Sequence, residues 1–192
     1  MVGYKFCEKL TSKSPNYQIT VFAEEIRPAY DRVHLSDLVS GKSANDLSMS
    51  SLEWYAEKRV TLHLADPILH IDRTNQKVTS FSGIEESYDY LVLATGSAPF
   101  MPQIQGVEKD GVFVYRTIED IELITDYAKK AQTGAIIGGG LLGLEAAKAL
   151  LDLGIKETHV IEFAPRLMPR QIDEGGSQML KAKLQSLNQN LS

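Results

Sequence analysis

The sequence predicts an α/β protein built in two halves, and three observations predict it. An apolar strand, a glycine run, an amphipathic helix and a second strand follow one another through AIIGGGLLGLEAAKALLDLG (135–154) and THVIEF (158–163), the order of a β-α-β unit. Short apolar runs with strand character recur in the first half, at YQITVF (17–22) and VTLHLA (60–65). Residues 68–90 alternate apolar and polar side chains around turn signals at Thr74–Asn75 and Ser82–Gly83, which reads as a small antiparallel meander.

The elements follow in chain order. Phe6, Cys7 and Leu10 sit at helical spacing within 4–10, and the polar stretch 11–16 ends that helix. Strand 17–22 ends in Ala23, Glu24 and Glu25, and 27–42 is mixed and loop-like. A helix over SSLEWYAEK (50–58) leads into strand 60–65 and the meander. YLVLATG (90–96) is continuously apolar, the pattern of a strand buried on both faces of a parallel sheet.

Pro99, Pro102, Gly106 and Gly111 then mark a linker, dividing the chain into 1–111 and 112–192. Beyond it lies a helix over 118–131 with Ile118, Ile121 and Ile124 on one stripe. Next come strand 135–138, helix 141–153 stopped by Gly154, and strand 158–163. A last amphipathic helix near 177–188 turns Leu180, Leu184 and Leu187 inward.

Composition narrows the function classes. At 192 residues, 43% hydrophobic and 23% charged, the chain suits a globular protein of one ordinary or two small domains. Net charge −5 argues against nonspecific nucleic-acid binding, which needs clustered cations. Cys7 is the only cysteine, so the chain alone builds neither an internal disulfide nor a cysteine-held cluster. Its surroundings suggest a small core residue. Lys5, Glu8 and Lys9 interrupt any leader-like apolar run, and Glu145, Lys148 and Asp152 break the longest apolar stretch. The expectation is a cytoplasmic protein with no membrane partner.

Gly138-Gly139-Gly140-Leu141-Leu142-Gly143 fits G-x-G-x-x-G between a strand and a helix, and the next strand ends near Glu162. Glu162 follows the last glycine by 19 residues (162 − 143), close to the ~20 expected of a ribose-binding acid. Gly138 allows the tight turn, Gly140 the approach of a pyrophosphate, and Gly143 close helix–sheet packing. The helix start, at Leu141 and Leu142, offers free N–H groups to phosphate. Glu162 would bind the ribose hydroxyls and repel a 2′-phosphate. NADH is therefore the expected ligand and NADPH the alternative, with Arg166 placed to reach a phosphate.

With these residues the sequence resembles the FAD/NAD(P)H-dependent pyridine-nucleotide oxidoreductases. The matching stretches are ITVFAEEIRPAYDRVHLS (19–36), YDYLVLATGSAPF (88–100), VFVYRTIEDI (112–121), IIGGGLLGLEAAKAL (136–150) and THVIEFAPRLMP (158–169). Within that family they are most similar to the flavin and nicotinamide portion of NAD(P)H-dependent nitrite reductase large subunits. The resemblance implies two Rossmann-like domains of glutathione-reductase type, both incomplete: a partial FAD-binding domain over 1–111 carrying the meander, and a partial NAD(P)H-binding domain over 112–192.

The resemblance also assigns roles. Glu24 would bind the adenosine ribose of FAD, and Arg32, Ala94, Thr95 and Gly96 would lie along the FAD. Arg116 would sit near the FAD pyrophosphate, and Glu145 would face the nicotinamide–flavin junction. Gly3 matches the last glycine of a flavin fingerprint whose first strand and first two glycines are absent. The later strands of the nicotinamide domain are missing too, so the isolated chain is expected to bind FAD weakly or not at all.

Hydride passes between the two cofactors, so no catalytic side chain is required, and none stands out. His34, His63, His70 and His159 show no metal-ligand spacing. Residues 26–45 hold no cysteine, which argues against dithiol chemistry. The expected acceptor is a downstream redox domain, with sirohaem and an iron–sulfur cluster if the nitrite-reductase reading holds, or a separate acceptor protein. A homodimer stays open. The competing readings are a rubredoxin or ferredoxin reductase and an inactive nucleotide-binding remnant. Asp37, after Leu35-Ser36, stands where such reductases more often carry Lys.

Overall fold

The computed structural model describes residues 1–14 and 16–186, and the backbone of 189–191. The order is α1 (Val2–Lys13), β1 (Ile19–Phe22), α2 (Leu52–Glu57), β2 (Val60–His63), β3 (Ile68–Asp72), β4 (Lys77–Ser80), β5 (Glu85–Ser87), α3 (Ile118–Ala128), β6 (Thr133–Ile137), α4 (Leu141–Asp152), β7 (Glu157–Ile161), α5 (Glu174–Gln185) and β8 (Gln189–Leu191). This is an α/β fold with a small antiparallel sheet, as expected. Residues 32–38, within the stretch expected as loop, form a short 3₁₀ turn, and Ala44–Leu47 form another. Leu187 of the expected final helix lies outside the described residues.

The chain forms two compact units. The first comprises Met1–Arg32 and Asn45–Ala98, the second Val33–Ala44 and Pro99–Ser192. The contacts thus separate the units at Ala98, upstream of Gly111, and assign 33–44 to the second unit.

In the first unit β1 and β2 pair in parallel, Ile19 against Val60 through Phe22 against His63. Tyr4 of α1, Tyr55 of α2 and Val60 form the core, with Ile19, Val21, Trp54 and Leu62 packed around them. Cys7 is buried on the same helix as Tyr4, the position of a small core residue. β3, β4 and β5 form the antiparallel meander. Its first turn is held by Asp72, whose carboxylate accepts the Thr74 and Asn75 N–H groups at 2.9 and 3.0 Å. Its second is held by buried Asp66, which accepts the Ser82 N–H at 2.7 Å and the Ser82 hydroxyl at 2.8 Å. A carboxylate satisfied in this way converts a chain reversal into a rigid turn.

One expected strand does not form. YLVLATG (90–96) joins no ladder, and Tyr90, Val92 and Leu93 are 81, 50 and 67% exposed. Among the described residues, the parallel sheet of this unit contains only β1 and β2. An apolar run becomes a strand only where a neighbour satisfies its N–H and C=O groups. Without that ladder the backbone turns to water instead. Apolar patterning alone does not reveal whether such a neighbour exists.

In the second unit β6, β7 and β8 form a parallel sheet in that order. α4 packs its Ala147 against Val160 of β7, both fully buried, and Leu167 and Leu184 complete the core. The alanines of α4 let the helix lie close to the sheet. α3 begins with a capping box: Thr117 accepts the Asp120 N–H at 3.1 Å and Asp120 accepts the Thr117 N–H at 2.8 Å. Ile118 and Ile121 are its most deeply buried side chains.

Candidate functional site

The glycine motif occupies the turn from β6 into α4. Gly138 has φ +114°, a conformation closed to most L side chains, and its N–H donates to the Ile161 carbonyl at 2.8 Å. Gly143 is required by contact: a Cβ there would lie 2.0 Å from the Gly138 carbonyl oxygen. Around Gly140 the situation is the reverse, since a Cβ there would meet nothing within 4 Å. Gly140 is the N-cap of α4 and supplies no side-chain cap. The start of this 12-residue helix thus has no side-chain cap and a bare, unobstructed N-cap Cα, an arrangement suited to phosphate.

Glu162, one residue beyond β7, reaches this turn. Its Oε2 accepts the Gly139 N–H at 2.6 Å and its Oε1 accepts the Ala164 N–H at 2.7 Å. The backbone donors of Ala164 and then Gly139 hold the carboxyl below the usual glutamate range. A carboxylate so fixed stays ionised and keeps lone pairs for further donors. Arg166 donates from its Nη2 to the Pro169 carbonyl at 3.2 Å.

Glu145 lies on the first turns of α4 and lines an open cleft of about 370 Å³ with Ser36, Asp37, Leu141, Lys148 and Leu180. Lys148 is paired with Asp152, and Lys42 with Asp37 at 2.8 Å. Burial pushes the Tyr115 hydroxyl up to about 12, and the charge on Glu145 adds to that shift. Arg116 follows, its N–H donating to Asp120 at 3.1 Å as α3 begins.

The first-unit residues are brought together only in part. Gly3 lies in α1, where an added Cβ would be 3.6 Å from the Ala94 Cβ. Ala94, Thr95 and Gly96 are exposed coil, and Glu24 is exposed just beyond β1. Arg32 pairs with Glu25 at 2.5 Å and lies over the Tyr30 ring, whose hydroxyl donates to Glu25 at 2.6 Å. Sequence reasoning did not single out Gly139, the Ala164 N–H or Tyr115. A third glycine inside the motif was the one visible signal, since the family pattern leaves that position free.

The model of the pyridine nucleotide-disulphide oxidoreductases matches residues 1–190. The chain belongs to that family. It is 47% identical, over 97% of its length, to the large subunit of nitrite reductase [NAD(P)H] from Klebsiella oxytoca, of which it covers 20%. Among solved structures, the NAD-dependent persulfide reductase from A. fulgidus superposes with a TM-score of 0.93 at 28% identity, covering 99% of this chain and 37% of that one. The NADH:rubredoxin oxidoreductase from Clostridium acetobutylicum gives 0.87 at 27%, covering 97% and 49%.

The chain thus spans about one fifth of the length of such nitrite reductase large subunits. The disulphide chemistry in the family's name finds no counterpart in its cysteine content: buried Cys7 is alone, and burial pushes its thiol up. Among the described residues, no helix is long and apolar enough to cross a membrane, and no three metal-ligating side chains cluster.

Proposed function

We propose that the chain is the nucleotide-binding part of an NADH-dependent flavoprotein oxidoreductase of the nitrite-reductase type. The observation that carries this reading is the Glu162 carboxylate fixed on the glycine turn by the Gly139 and Ala164 N–H groups. There it would accept the 2′- and 3′-hydroxyls of an adenosine ribose and repel a 2′-phosphate. Gly138, Gly140 and Gly143, with the N–H groups of Leu141 and Leu142, would hold the pyrophosphate. Glu145, lining the cleft, would orient the nicotinamide end.

The nicotinamide and the flavin supply the hydride chemistry; the residues bind, orient and exclude water. On the flavin side the roles fall to Gly3, Glu24, Arg32, Ala94, Thr95, Gly96 and Arg116. In this chain that set is only partly assembled, because 94–96 are exposed and Arg32 is engaged by Glu25. We therefore expect weak FAD binding by the chain alone, or none. In the whole protein the electrons would pass to a downstream redox domain, with sirohaem and an iron–sulfur cluster reducing nitrite to ammonia in the cytoplasm.

Titrating NADH and NADPH into the purified chain, followed by nicotinamide fluorescence, tests the nucleotide site. NADH is expected to bind more tightly, and a clear preference for NADPH overturns the reading. A stoichiometric, tightly held flavin in the chain contradicts the expected weak FAD binding. The similarity to the rubredoxin oxidoreductase favours a second reading, a reductase for a separate small acceptor. Supplying nitrite or rubredoxin as sole acceptor to the full-length protein separates the two, and Asp37 after Leu35-Ser36 weighs against the second.

A further inference from the structure

Gly138, Gly139 and Gly140 are identical in sequence and differ in what the structure asks of them. A Cβ at Gly138 or Gly140 would meet nothing within 4 Å. A Cβ at Gly139 would lie 2.6 Å from Leu167 Cδ2, 3.1 Å from Glu162 Cβ and 3.2 Å from Glu162 Oε2. The same residue donates its N–H to Glu162 at 2.6 Å and accepts the Met168 N–H at 3.0 Å, where Met168 has φ +49°. Its peptide is therefore gripped from both sides by the segment 162–168. Leu167 is buried in the core with Val160 and Ala147, so it has little room to withdraw. Any side chain at 139 would transfer its pressure to Glu162.

We propose that Gly139, the free position of the glycine motif, is a positioning residue: its N–H and its bare Cα aim the Glu162 carboxylate, and so set the discrimination between a ribose 2′-hydroxyl and a 2′-phosphate. The inference rests on the reading of Glu162 as the ribose-binding acid. A carboxylate pushed off its N–H donor loses the position that both accepts the hydroxyls and repels the phosphate, while the pyrophosphate cradle at Gly140 and α4 is left intact. Gly139 is then read by the motif as spacing and by the ligand as selectivity.

The test compares binding of NAD⁺ and NADP⁺ to the wild-type chain, Gly139→Ala, Glu162→Gln and the double variant by calorimetric titration. Gly139→Ala is expected to weaken NAD⁺ about tenfold, as loss of a charge-assisted contact does, and to tighten NADP⁺ as the repulsion of its 2′-phosphate is relieved. In the Glu162→Gln background it should have no further effect on the NAD⁺/NADP⁺ ratio. If Gly139→Ala does not fold, adding Leu167→Ala removes the first clash and keeps the contacts to Glu162, so the ratio is still expected to fall. Equal weakening of both nucleotides, or effects that add to those of Glu162→Gln, overturns the inference and spares the nucleotide reading. Absence of binding by the wild-type chain overturns both.

Discussion

Two apolar runs in this molecule end in glycine and meet different fates. AIIG (135–138) becomes β6, pairs with β7 from Thr133–Glu157 to Ile137–Ile161, and delivers its glycines to a helix N-terminus. LVLATG (91–96) has the same apolar character, yet it stays outside every ladder and is exposed along its length. The acids nearby differ in parallel. Glu162 is fixed on the glycine turn by two N–H groups, whereas Glu24 is exposed and its neighbour Glu25 pairs with Arg32. The comparison teaches that the run supplies hydrophobicity, but pairing turns it into a scaffold, and only a scaffold gives an acid its address.

The sharpest way to break that contrast is to strike the close approach on which the ordered turn depends. Gly143→Ala would put a Cβ 2.0 Å from the Gly138 carbonyl, so backbone must move. A loss of about 3 kcal/mol or more is expected in urea denaturation followed by circular dichroism. Gly96→Ala, at φ +70° in the exposed run, is expected to cost about 1 kcal/mol or less. Equal costs at the two glycines would mean that the second run is as ordered as the first.

The next contrast lies in the apolar side chains themselves. Val160 is fully buried on β7, and Val160→Ala is expected to remove about 2 kcal/mol by leaving a cavity beside Ala147 and Leu184. Leu93, 67% exposed, should tolerate alanine within about 0.5 kcal/mol although it removes a larger side chain. The reverse order in denaturation midpoints would restore the strand that the sequence pattern implies at 90–96.

Much of this architecture was legible because it is local. The β-α-β unit, α1, the meander and α3 are each specified by periodicity or turn residues within about twenty residues. The acid at 162 was legible for the same reason, since the length of one βα unit sets its spacing from the motif. What escaped was relational. No pattern in YLVLATG says whether a partner strand is present, and nothing in YDR says that Arg32 will find Glu25. The third glycine gained meaning only from Leu167 and Glu162 pressing on it.

The smallest expected effect probes Glu162 through pH. Its carboxyl is held below the ordinary glutamate value, chiefly by the Ala164 N–H and then the Gly139 N–H. A group with a depressed folded pKa binds protons more readily in the unfolded chain. The stability it contributes is therefore fully present above the ordinary glutamate value and is lost as pH falls through the lowered folded one. Glu162→Gln keeps a carbonyl acceptor but removes this titration. The wild-type chain should be the more stable at neutral pH, and the gap between the two denaturation midpoints should close as pH falls from the ordinary glutamate range into the acid side of it. A gap that stays constant with pH would show that the two N–H contacts do not favour the ionised form. The glycine turn would then hold its acid by shape alone, and the distinction drawn between Glu162 and the exposed Glu24 would lose its electrostatic basis.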